Sequence, residues 1–252
     1  MVRDTGMGMR ALEDLCEASG DFVDVLKVVC GVMRVQPLRL TQAKIQRARA
    51  SGIDYSTGGV LERVLVEGSA AVHRFLAASK EYGFAEIEVS SGAVILSLED
   101  KLEVIRAVHE HGLRAVPEVS MAYGLAPGQK STVNADKLVH EVLRCLEAGA
   151  ARVLIEEEGL TQNVDQWRED IVFKIAACCP LERLVFEVEN RTIYSWYIKH
   201  FGPRINLHID PIDVNHLQVT RCGVWGKGDT WGRVATFHGG ADLVAGNQNT
   251  VR

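Results

Sequence analysis

The chain has 252 residues, of which 47% are hydrophobic and 24% charged, and a formal net charge of −5. That length suits one α/β domain with a sizeable core, and the acidic balance without any Lys/Arg run excludes a nucleic-acid surface. No apolar stretch reaches the roughly 18 residues of a membrane span and no basic-then-apolar leader opens the chain, so no membrane partner and a cytoplasmic location are expected.

Residues 9–19 have Leu12, Leu15 and Cys16 at helical spacing and end at Gly20, which predicts a helix. Residues 21–29 then read as a strand that carries Asp24 and Lys27. A lysine inside such a run suits the mouth of a barrel, where it neutralises carboxylates or binds an anion; the plainer reading is a strand-end side chain reaching solvent. Residues 41–50 form a short basic helix, and residues 53–56 lead into Gly58 and Gly59, a pair able to bring backbone N–H groups close to an anion or simply to turn the chain. A single helix is expected from Glu62 to Gly83.

The next segments repeat one figure. Short β-prone runs end on or near Glu88, Glu118, Glu156 and Glu187, each after a helix-like segment. Their spacing, roughly 30 to 40 residues, is that of successive βα units, so four carboxylates are candidates for one rim. The helices between them are read at 100–111, 134–147 and 165–177, and residues 121–131, with Gly124, Pro127 and Gly128, form a long loop of the kind that covers a barrel's active face. Residues 192–200 make an aromatic-rich helix of core or subunit-interface type, and a homo-oligomer is expected.

The last strand, 204–210, puts Asn206, His208 and Asp210 on one face, which suits His208 for proton transfer or metal ligation. A helix over 211–221 precedes a glycine-broken loop that could wrap an anion around Lys227. The six cysteines show no C-x-x-C or zinc spacing and read as buried or idle thiols. Alternating strands and helices at this length predict a parallel TIM-type (β/α)8 barrel over residues 1–232, followed by a flexible tail over 233–252.

Gly20-Asp21-Phe22-Val23-Asp24-Val25-Leu26-Lys27, Gly58-Gly59 with Glu62, Ile87-Glu88-Val89-Ser90-Ser91-Gly92, Glu118-Val119, Ile155-Glu156, Phe201-Gly202-Pro203 leading to Asn206-Leu207, and Gly228-Asp229-Thr230 carry a resemblance. In order and spacing they resemble the phosphosulfolactate synthase family over nearly the whole chain. The resemblance implies a TIM-type barrel and a Mg²⁺-dependent addition of sulfite to phosphoenolpyruvate that forms a C–S bond; plant heat-stress-associated relatives share the fold. It implies Glu88, Glu118, Glu156 and Glu187 as metal ligands and Lys27 and Glu118 as catalytic groups; the residues themselves add His208 as a further catalytic candidate, with Asp24, Gly58, Gly59, Ser90, Asn206 and Lys227 around a small anionic carboxylate.

The chain also departs from that family. Ser120-Met121-Ala122 stands where the family continues with Gly-Lys-Lys, Glu157-Glu158-Gly159 replaces a run containing an arginine, and Val224-Trp225-Gly226-Lys227 replaces another. Fewer cations weaken a phosphate site, so little turnover of phosphoenolpyruvate is expected. His208 stands where the family has glycine. Residues 1–6 resemble the end of the family's first strand, so a stub or missing first strand is expected, with either an open seam or a misassigned start. Three functions remain: a divergent lyase of this family, a non-catalytic barrel that binds a small anion or a protein partner, and a metal-dependent aldolase or isomerase.

Overall fold

A computed structural model describes residues 1–29, 31–121 and 134–223. Eight parallel strands run in sequence order: β1 (Val2–Asp4), β2 (Val25–Val28), β3 (Asp54–Ser56), β4 (Glu86–Val89), β5 (Arg114–Val119), β6 (Val153–Ile155), β7 (Leu184–Glu187) and β8 (Leu207–His208). An open seam, one of the two alternatives, is absent between β1 and β8. Arg3 N–H donates to Ile209 C=O at 2.9 Å and Ile209 N–H to Met1 C=O at 3.2 Å, which joins β1 to the chain just past β8. The first strand is therefore present, and its three residues equal the lengths of β3 and β6.

Each strand is followed by an outer helix that buries one apolar stripe against it. In Ala135–Glu147 that stripe includes Leu138, Val142 and Cys145, and the Asn134 side chain caps the start by accepting Lys137 N–H at 3.0 Å. Asn190 caps Arg191–Phe201 and Ser97 caps Leu98–Glu110 in the same way. These caps fix where each helix leaves its loop, and hence where each strand-end side chain lies.

Several expected boundaries shift. The single helix after Gly59 is two, Leu61–Leu65 and Ser69–Tyr82, because Gly68 takes a left-handed φ of 90° between them. The strand over 204–210 shrinks to Leu207–His208, although Ile205 and Ile209 stay buried. The helix expected from 165 starts at Glu169, and the one over 211–221 opens with a 3₁₀ turn before Val214–Arg221. The long loop over 122–131, the Lys227 loop and the tail over 233–252 lie outside the described residues.

Inside the barrel, period two stacks side chains in layers. Val116, Leu154 and Val185 form an apolar plug. Two residues earlier on β5, and just ahead of β6, Arg114 and Arg152 converge on the fully buried Glu86 of β4. Two residues later on the same three strand paths come Glu118, Glu156 and Glu187. The plug thus separates a charged floor from a charged mouth.

Candidate active site

At the C-terminal ends of the strands lies a cavity of about 390 Å³, lined by Arg3, Lys27, Glu88, Glu118, Glu156, Glu187 and His208, with Gly59, Glu62, Arg63 and Ser90 on the side of β3 and β4. Sites of TIM-type barrels occupy this end because the βα loops there vary without disturbing the sheet. The acids reach one mouth because each occupies an inward position at the top of its strand path. The loop after β4 is held open by Glu62, whose carboxylate accepts N–H bonds from Gly92 at 2.8 Å, Ala93 at 2.5 Å and Val94 at 3.1 Å.

Two ion pairs organise the charges. Lys27 Nζ lies 2.6 Å from Glu88 Oε2, both nearly buried. Burial works against the ammonium, yet Glu88, Glu187 and Glu118 outweigh it and raise its pKa above the usual lysine range. Arg3 Nη2 lies 3.0 Å from Glu187 Oε1 and 3.8 Å from Glu157 Oε1. Burial likewise pushes Glu187 up, but contact with His208 and the charges of Lys27 and Arg3 hold it well below the usual carboxylate range.

The other acids behave oppositely. Burial, together with the charges of Glu88 and Glu156, pushes Glu118 well up. Burial also raises Glu156 against a hydrogen bond from Ser120, and raises Glu157 to about 7. His208, fully buried with Nδ1 3.1 Å from Glu187 Oε1, is pushed down to about 3 by burial and by Lys27. It is therefore a neutral imidazole, and the positive charge that steadies Glu187 comes from Arg3 and Lys27. Neither ring nitrogen of His208 has a well-aligned hydrogen bond among the described residues.

A buried neutral histidine has a thermodynamic signature. Below an unfolded-state pKa of about 6.5 the unfolded chain takes up a proton that the fold refuses, so stability is lost as pH falls from there towards 3. His208→Asn should flatten that slope by roughly 1 kcal/mol per pH unit between about pH 6 and pH 5. Urea melts at both pH values check it, and equal slopes for the two proteins would contradict a neutral imidazole.

Of the residues expected at the site, Lys27, His208, Glu118, Glu88, Glu156, Glu187, Ser90 and Gly59 come together around the cavity. Gly58 sits buried beside them at a left-handed φ of 59°, its C=O accepting the Thr57 hydroxyl at 3.1 Å. Asp24 and Asn206 do not join them. Asp24 lies ahead of β2 at the floor, acting on the Met1 amino group and Arg221, and Asn206 donates to Glu182 C=O and Leu184 C=O, both at 3.1 Å. Lys227 lies outside the described residues.

Sequence reading missed Arg3 and Arg63, two guanidinium groups at the mouth. The signal for Arg3 was available: it stands between Val2 and Asp4 in a strand, on the face opposite the outward Val2.

Among the described residues no three His, Cys, Asp or Glu side chains converge closely enough to form a metal cage. Magnesium needs less, because it commonly binds one or two carboxylates and completes its shell with water and substrate. Glu118 and Glu156 fit that role. Each is raised in part by neighbouring acids, repulsion that a divalent cation would relieve.

Residues 1–227 match the family described as (2R)-phospho-3-sulfolactate synthase (ComA). The chain is 28% identical over 241 residues to the phosphosulfolactate synthase of Methanothermobacter thermautotrophicus, covering 93% of this chain and 91% of that protein. It is 27% identical over 238 residues to Protein HEAT-STRESS-ASSOCIATED 32 of Arabidopsis thaliana, covering 88% of this chain and 83% of that protein. Among solved structures, 3-hexulose-6-phosphate synthase from Salmonella typhimurium aligns with a TM-score of 0.56 at 12% identity, over 92% of this chain and 93% of that one, a likeness of fold. With the barrel and the acid-lined mouth in place and a match running over nearly its whole length, the chain belongs to the (2R)-phospho-3-sulfolactate synthase (ComA) family.

Proposed function

We propose that the chain is a divergent lyase that forms a C–S bond by adding sulfite, or a related nucleophile, across the double bond of a small enol carboxylate. The observation that carries this reading is the acid-rich cavity of a ComA-family barrel with a buried, strongly charged lysine at its centre. In the addition, the sulfur lone pair bonds to the terminal alkene carbon and the π electrons move to the carbon beside the carboxylate. Lys27 gives its proton to that carbon, and Glu88, 2.6 Å from Nζ, keeps the ammonium oriented. Glu118 and Glu156 would hold a divalent ion such as Mg²⁺. When bound, that ion supplies positive charge opposite the negative charge that develops on the substrate.

Arg3 and Arg63 restore part of the cationic complement, so phosphoenolpyruvate belongs in the test alongside unphosphorylated enol and ene carboxylates. Incubation with sulfite and Mg²⁺, followed by mass spectrometry, should yield a sulfonate adduct with at least one of these acceptors. Failure with all of them would overturn the lyase reading in favour of a barrel that binds without turning over, which likeness to the heat-stress protein keeps as the second reading.

A further inference from the structure

The charges around the cavity are divided unequally. On the side of β5 to β7, Glu118, Glu156 and Glu187 face one guanidinium, Arg3, which is already engaged. On the side of β3 and β4 both carboxylates are engaged internally: Glu88 is charge-paired with Lys27, and Glu62 accepts three backbone N–H groups. Arg63, one residue beyond Glu62, lines the same side with its side chain exposed, and no carboxylate pairs with it among the described residues. Ser90 also lines that side, and its hydroxyl is buried with no hydrogen-bond partner among the described residues. Leaving a buried hydroxyl unpaired is costly, and a ligand oxygen would satisfy it.

We infer that Arg63 and Ser90, with the turn at Gly59, form the subsite for a compact multi-oxygen anion, the phosphate of the acceptor or the sulfite that attacks it. Arginine presents a planar fork matched to two oxygens of such a group, and the Ser90 hydroxyl can donate to a third. The subsite orients the substrate: the oxyanion towards β3 and β4, the reacting carbons near Lys27, the carboxylate towards Glu118 and Glu156.

The inference rests on the lyase reading for the substrate's direction, but its test does not need turnover. Calorimetric titration of the full chain with inorganic phosphate and, separately, with sulfite measures binding directly. Arg63→Gln should weaken one or both at least roughly tenfold, Arg63→Lys should recover part of the loss, and Ser90→Ala should weaken the same ligand by a smaller factor. The ligand affected identifies which oxyanion the subsite takes. Arg10→Gln, an exposed change elsewhere, controls for overall charge and should leave both affinities unchanged.

Arg63→Gln binding both anions as tightly as the wild type would overturn the subsite, as would equal losses in Arg63→Gln and Arg10→Gln. If the wild type binds phosphate through Arg63 but forms no adduct, the subsite stands and the lyase reading falls.

Discussion

Lys27→Met should lower adduct formation by about 10²–10⁴-fold, the range expected when a positioned proton donor is lost. The same change strands Glu88, which is 3% exposed and has Lys27 as its ion-pair partner at 2.6 Å. Breaking a buried pair by removing one member costs about 3–5 kcal/mol, so Lys27→Met alone should also be markedly destabilised. The double variant Lys27→Met with Glu88→Gln separates the two effects. It removes both charges, so stability in urea melts should return towards wild type while activity stays lost. A double variant that regained both would show that Lys27 serves only to neutralise Glu88.

The sequence made the barrel's inward faces legible, because period two ties Glu118 to Val116, Glu156 to Leu154 and Glu187 to Val185, and burying the apolar partner sends the acid to the mouth. It was less informative about height. Asn206 shares a face with His208 but stands two residues lower, about 6–7 Å along a strand, which is enough to move it to the floor. Asp24 precedes β2 altogether. Strand ends were obscured for the same reason: Ile205 and Ile209 are buried like strand residues although only Leu207–His208 belongs to β8. Arg63 was not legible, since its importance depends on the carboxylates near it being engaged by distant segments.

Lysines at apolar helix positions were a second blind spot, and they lead to a stability effect as large as that of the Lys27–Glu88 pair. Lys44 lies in the helix Leu38–Ala50, which reads as a basic surface segment, yet it is 1% exposed because it shares its face with Thr41, Ile45 and Ala48. Its ammonium meets the Oδ2 of fully buried Asp4 at 2.5 Å and Gln36 Oε1 at 2.9 Å. The same Oδ2 accepts the Tyr55 hydroxyl at 2.5 Å, while Oδ1 accepts Gly6 N–H at 3.0 Å and Met7 N–H at 2.8 Å. Burial and the adjacent Asp4 charge push the Tyr55 phenol far up, so its hydroxyl remains a donor.

One carboxylate thus ties β1, β3, the loop after β1 and a helix together, directly beside Arg3. Asp4→Asn keeps the size but leaves Lys44 charged, buried and facing an amide. Unfolding free energy from urea melts should fall by about 3–5 kcal/mol, and Asp4→Asn with Lys44→Met should recover most of it. A loss below about 1 kcal/mol for Asp4→Asn would mean that Lys44 finds solvent or another acceptor and that the hub does not hold β1. If it does hold β1, the single variant should also loosen the Arg3–Glu187 contact at 3.0 Å and raise the Glu187 pKa by the part that Arg3 contributes, with His208 and Lys27 still holding it down. Carboxyl titration followed by NMR would show this as an upward shift, absent in the double variant.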